Sequence, residues 1–250
     1  MNTWQALLVF VAGIWAGTIN TVVGSGTLVS FPVLLSVGVP PVTANVSNTV
    51  GLFPGSFVGA YGYRQELSGQ RNRALVLGSA SALGAITGAV LLLELPAGAF
   101  KAIVPVLIGL ALLLVLFGKQ ATAWLTSRGR GATEHVTVAR WSVSFATGVY
   151  GGYFGAAQGV LLMGFLGLFL AESLQRQNAL KNVLAGITNL VAAVVFVAVT
   201  HVDWTAALLI AGGSIIGGLF GAKIGRRLSP AVLRATIVVV GVAAIIKLLL

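Results

Sequence analysis

Small residues recur at a fixed interval inside long apolar sequence, and that interval divides the chain into two halves. Ser81, Gly84 and Gly88 return as Ser214, Gly217 and Gly221, each 133 positions on (214 − 81), and Lys101 returns as Arg234 at the same interval. The opening segment repeats too, slightly out of step: Phe10, Gly13, Gly17 and Gly24 return as Phe145, Gly148, Gly152 and Gly159, 135 apart (148 − 13). Small residues let helices approach closely where lipid supplies no hydrophobic drive, and duplicated sets of such helices build many transporters around a site at the bilayer midplane. The pattern therefore predicts an all-α, polytopic helical membrane protein made of two repeats, with transport as its function.

Composition narrows the alternatives. Hydrophobic residues make up 57% of the chain and charged ones 8%, with a mean hydropathy of +0.99, far too apolar for the surface of a soluble domain. The net charge of +10 falls almost entirely between apolar runs, so it reads as a topology signal and not as a nucleic-acid footprint. There is no cysteine, hence no disulfide or thiolate chemistry. His135 and His201 have no partner at ligand spacing, so no metal and no cofactor is expected. The acidic residues Glu66, Glu94, Glu134, Glu172 and Asp203 all lie at or near segment ends. An intramembrane enzyme would need paired carboxylates or a nucleophile with its base, and a cation transporter would need carboxylates inside the bundle. Both classes are disfavoured.

A bilayer requires spans of roughly 17 to 25 apolar residues. Eight long candidates are 4–23, 42–61, 74–93, 100–118, 141–159, 182–199, 206–224 and 231–249. Nothing basic precedes the first, which reads as a span and not as a cleaved secretory signal. Two shorter pieces, 27–37 and 160–170, each follow a glycine-rich break and read as half-helices or re-entrant segments. The chain thus divides into a first transmembrane repeat over 1–118, a cytoplasmic linker over 119–138 and a second repeat over 139–250, together forming one membrane domain. If each break is a hairpin, each half has five segments and the second half is inverted. Arg64, Arg71, Arg73, Arg140, Arg176, Lys181, Lys223 and Arg227 then share the cytoplasmic side, with both termini outside. In that arrangement Lys181 snorkels to the interface or draws anions to its mouth.

The chemistry is expected at the breaks. Asn20 and the run Gly24, Ser25, Gly26 and Thr27 precede the first short piece; Gly155, Gln158 and Gly159 precede the second. Glycine permits an unwound backbone, and the helix that starts after it offers unpaired N–H groups and a partial positive charge. Two such ends converging would hold a small anion. Asn48 and Asn182 open the next span of each half and add amide donors, although Asn in such places also serves as a helix N-cap. The bland reading of the glycines is that they only let helices pack.

The stretches AGTINTVVGSGTLVSFPVLLSVGVPPVTANVSNTVGLFPGS, GVYGGYFGAAQGVLL and LQRQNALKNVLAGITNLVAAVVF resemble the sulfite exporter TauE/SafE family of membrane permeases, over nearly the whole chain. That resemblance implies a permease or exporter for sulfite, sulfonates and related sulfur-containing or organic oxyanions in the bacterial inner membrane. Its glycine-rich signatures fall here on Gly24, Ser25 and Gly26 and on 155–159, which read GSG and GAAQG where the family's common form has three glycines. The expected partners are a small anionic substrate and the lipid bilayer, with no nucleic acid; homo-oligomerisation stays open. An anion channel of the same architecture is the nearest alternative and an intramembrane enzyme a more distant one. No span carries a central carboxylate for proton coupling, so export driven by the inside-negative potential is expected.

Overall fold

With no water in the hydrocarbon core to satisfy peptide groups, a chain this apolar must bond its backbone within each segment, and helices do so. The computed structural model describes residues 1–127 and 137–224, with helical positions 238, 239, 242 and 246, and every described element is α-helical. In order these are α1 (Thr3–Val22), α2 (Thr27–Ser36), α3 (Pro41–Gly62), α4 (Arg71–Glu94), α5 (Ala97–Ser127), α6 (Thr137–Tyr153), α7 (Gln158–Phe169), α8 (Leu174–Val199) and α9 (Trp204–Ile224).

Local signals fix several of these boundaries. Asn2 and Gln5 form a capping box that starts α1, each side chain bonding the other's backbone N–H at 2.8 and 2.9 Å. Pro41 stands at the first position of α3, where its missing N–H costs nothing. Ser173 caps α8 through the Arg176 N–H, so that helix begins at Leu174 and not near residue 182 as the hydrophobic run alone suggests. The break expected to end the 141–159 span falls inside it, since α6 stops at Tyr153. At the centre of the chain α5 runs on to Ser127, into the segment expected to be linker.

Four helices are both long and apolar enough to cross a membrane: Thr3–Val22, Arg71–Glu94, Leu174–Val199 and Trp204–Lys223. Among the described residues, four of the eight expected long spans meet that length and apolarity. α3 is 22 residues long but interrupts its apolar sequence with Asn45, Ser47, Asn48, Thr49 and Ser56, all buried. α6 is shorter, at 17 residues. The run 231–249 lies outside the described residues except at the positions named above. The two short pieces form α2 and α7 close to their expected bounds. Large apolar side chains such as Trp4, Val106, Val194 and Leu208 face outward, as lipid contact demands.

The small residues seat helix on helix in matched pairs. A Cβ built on Gly84 of α4 would lie 2.2 Å from the Phe145 carbonyl oxygen of α6, and one on Gly217 of α9 would lie 2.1 Å from that of Ile14 in α1. Gly88 meets Val149 four residues further on, and Gly221 meets Thr18. α4 and α6 therefore run side by side in one direction, as do α1 and α9. α3 joins the second pair, with Gly51 on Ile210 and Gly62 on Ala222. α8 joins the first, with Gly78 against Ile187 and the Gln70 side chain on the Arg176 carbonyl at 3.0 Å.

These contacts correct the repeat interval of the opening helices. Ile14 of α1 corresponds to Phe145 of α6, an offset of 131 (145 − 14), and the helix ends agree. Val23 and Gly24 both donate to the Ile19 carbonyl, while Phe154 and Gly155 both donate to that of Tyr150, again 131 apart (150 − 19). The sequence offset of 135 is one helical turn away. Small residues spaced four apart fit both registers, and only packing chooses between them.

Candidate functional site

The breaks meet. The Gly159 N–H, in the first turn of α7, donates to the Gly24 carbonyl at 2.9 Å. A Cβ on either glycine would come within 2.3 Å of the other's Cα, so no side chain fits between the two backbones. Gly24 and Gly155 turn the chain with φ of 88° and 73°, a left-handed conformation that suits glycine, and Ala157 follows at 59°. Gly24 therefore corresponds to Gly155 in the fold, while Gly159 is its contact partner.

At this junction the amides of Ser25, Gly26 and Thr27, and those of Ala156 and Ala157, have no hydrogen-bond partner among the described residues. Ser25 is fully buried and its hydroxyl is likewise unpartnered. Buried donors without partners are uncommon, and unpaired N–H groups at a helix start form an anion-attracting surface. Phe154, in the second break, stacks edge-on against Phe31 of α2 at 5.2 Å and lies 6.2 Å from Phe100 of α5, which closes the apolar side of the junction.

The other expected site residues divide between ligand-ready groups and groups already engaged. Gly26 caps α2 and presses on the Ala16 carbonyl, 2.3 Å from where a Cβ would stand. The Thr27 hydroxyl accepts from the Asn48 side chain at 3.3 Å, and the Ser30 hydroxyl donates to the Asn48 side-chain oxygen Oδ1. Gln158 is buried with its amide on Thr188 at 3.0 Å, packed over Gly151. Asn20 bonds Ser56 at 3.0 Å. Asn182 donates to the Thr21 carbonyl at 3.3 Å, as does Asn178. These polar side chains surround the breaks, yet most spend their donors on one another or on backbone.

Lys181 was expected at the interface and is instead fully buried. Because α8 starts at Leu174, position 181 lies in its second turn, where the ammonium donates to the carbonyls of Asn20 at 2.9 Å and Thr21 at 3.0 Å. The Ser173 cap preceding the apolar run was the sequence signal that could have moved it inward. Tyr150 was also missed: its hydroxyl bonds the Ala156 carbonyl and pins the second break.

Basic side chains gather at one end of the bundle. Glu172, between α7 and α8, pairs with Arg73 at 2.9 Å and Arg176 at 2.6 Å, and those hydrogen bonds, Arg73 first, hold its carboxyl below the usual carboxylate range. Arg140 bonds the Phe169 carbonyl at 2.9 Å nearby.

The chain matches the family model described as Sulfite exporter TauE/SafE over residues 9–248. It is 29% identical over 243 residues to a probable membrane transporter protein of a Sinorhizobium species, covering 96% of this chain and 90% of that protein. A probable membrane transporter protein of Haemophilus influenzae is 26% identical, with 93% and 89% covered. One from Escherichia coli is 25% identical, with 97% and 88% covered. No solved structure matches the chain.

Proposed function

The chain belongs to the sulfite exporter TauE/SafE family of multi-pass membrane transporters, and from that premise we propose that it exports a small oxyanion, such as sulfite or a sulfonate, held where its two helix breaks meet. The observation that carries this reading is the Gly159 to Gly24 hydrogen bond, which sets two helix starts with unpaired amides against each other. Charge stabilisation from helix ends and fixed dipoles suits a small oxyanion, and among the described residues no carboxylate bonds the junction to oppose it.

In this reading residues 1–118 and 139–250 form oppositely oriented halves of one membrane domain in the inner membrane, joined by the 119–138 segment on the cytoplasmic side. The direction of the packed helices supports it: α3 begins beside the end of α6, through Asn45 on the Tyr153 carbonyl at 2.9 Å, and α8 begins beside the end of α1. Inverted halves place Arg71 and Lys223 on the cytoplasmic side and Trp204 outside. Single cysteines at those positions, in a chain with no other, are expected to react with an impermeant thiol reagent in intact cells only at Trp204→Cys. Labelling of Lys223→Cys without Arg71→Cys would instead fit parallel halves.

An inside-negative potential favours anion exit by about 2.3 kcal/mol per charge per 100 mV. The test is flux from proteoliposomes loaded with sulfite, sulfate, thiosulfate, methanesulfonate or acetate. Saturable efflux of a sulfur oxyanion that rises when the loaded side is made negative supports the reading. Transport confined to cations or neutral solutes would end it, and conductance far above carrier turnover would turn it into a channel.

A further inference from the structure

Among the described residues, the polar groups around the two breaks are neutral with one exception. Lys181 is a fully buried lysine whose described partners are two backbone carbonyls, Asn20 at 2.9 Å and Thr21 at 3.0 Å. An ammonium has three N–H donors, so one is unspent. No carboxylate bonds it among the described residues: the ion pairs there both belong to Glu172, at the end of the bundle, and Asp203 caps α9 through the Ala206 N–H. A buried charge without a counter-charge is costly, and inside a membrane-spanning helix such a residue marks a function and calls for a named partner.

The position is specific to one half. With the 133-residue interval, Lys181 corresponds to Asn48 (181 − 48), which bonds Thr27 and Ser30 and carries no charge. The cation therefore stands beside the first break alone. Its two carbonyl partners are in the last turn of α1, immediately before Gly24 and Ser25, and Ser25 brings the fully buried hydroxyl that has no partner. The two carbonyls that hold the ammonium, the unpartnered Ser25 hydroxyl and the three unpaired amides thus all belong to one short stretch of chain, residues 20–27.

We propose that Lys181 is the counter-charge of the transported anion and a specificity-determining residue, binding one substrate oxygen directly while Ser25 and the amides of the first break hold the others. This rests on the oxyanion reading above. It makes the two breaks unequal: the first binds charge, and the second supplies neutral dipoles and the Gly159 contact. A monoanion neutralises the site when bound, whereas a neutral analogue of the same shape leaves the ammonium uncompensated, which is how the site rejects it.

The test is calorimetric titration of the purified full-length protein in detergent with methanesulfonate and with sulfate, for wild type and Lys181→Asn. Asparagine is the residue that the other half carries at this place, and it retains a donor for the α1 carbonyls. Loss of a charge-assisted hydrogen bond should weaken methanesulfonate binding by about ten- to a hundredfold and sulfate binding by more, so the ratio of the two affinities shifts toward the monoanion. If Lys181 only caps α1, the variant lowers both affinities equally or neither, and that result overturns the proposal while wild-type binding keeps the oxyanion reading intact. Absence of wild-type binding to any oxyanion defeats both. Should Lys181→Asn not fold, wild type labelled with ¹⁵N at lysine Nζ decides: the buried ammonium resonance is expected to shift on saturation with methanesulfonate, and an unmoved resonance contradicts direct contact.

Discussion

The two breaks share a backbone path and differ in chemistry. Each ends its first helix with two N–H groups on one carbonyl, turns through a left-handed glycine and starts a short helix. The first then reads Ser25 and Gly26, with an unpartnered hydroxyl and a lysine nearby, whereas the second reads Ala156 and Ala157 and is pinned by the Tyr150 hydroxyl on the Ala156 carbonyl. Their helix ends are capped differently as well. The Thr21 carbonyl receives Asn178, Lys181 and Asn182, while among the described residues the Tyr153 carbonyl receives the Asn45 side chain alone. The backbone path is common to the two breaks, and the side chains make one suited to charge and the other to fixing the joint.

The largest effect is expected where the halves touch. Gly24→Val places a branched side chain at φ 88° and within 2.3 Å of Gly159, a combination of backbone strain and overpacking worth about 3 kcal/mol or more. Transport in proteoliposomes should vanish even where the variant still inserts; retained flux would mean that the breaks do not need to meet.

Unequal capping predicts an unequal response to equivalent substitutions. Asn45→Ala removes the side-chain donor that the described residues give the Tyr153 carbonyl and should lower stability by about 1 to 2 kcal/mol. Asn178→Ala leaves two other donors on the Thr21 carbonyl and should cost clearly less. Denaturation in detergent measures both, and equal losses would erase the asymmetry.

Ser25 separates stability from binding. Its hydroxyl is buried and unpartnered, so Ser25→Ala should leave the empty protein as stable or slightly more so, yet weaken oxyanion affinity by about 1 kcal/mol, roughly fivefold. A variant that loses stability and keeps affinity would show the hydroxyl to be structural.

The smallest effect lies far from the breaks, at the basic end. The Arg73 and Arg176 hydrogen bonds lower the Glu172 pKa from its ordinary 4.5. A lowered carboxyl contributes stability that is fully present above that ordinary value and drains away as pH falls through the lowered one. With all three side chains partly exposed, the contribution is about 1 kcal/mol or less. Glu172→Gln should remove it and flatten the acid limb of the stability profile, leaving oxyanion affinity unchanged; altered affinity would link this cluster to the site.

Much of this organisation is legible in the residues. Glycine and serine set in apolar sequence locate the breaks, and α2 and α7 begin at or within two residues of their expected starts. The register of the opening helices is not legible, because glycines four residues apart satisfy two alignments and only the backbone carbonyls they touch decide. The depth of Lys181 is not legible either, because hydropathy starts the helix where polar residues stop, whereas α8 starts at the Ser173 cap. The engagement of Asn182 with Thr21, 161 positions away, is a product of packing that local sequence does not carry.

Binding of an oxyanion where the breaks meet is tested most directly by titrating sulfite into purified wild type and Gly159→Ala, each first shown to be folded and monodisperse. Saturable binding of one anion per chain that disappears in Gly159→Ala is the expected result, since a methyl group there forces the two backbones apart. Undiminished binding by that variant, with its fold intact, would contradict a site built from the joined breaks.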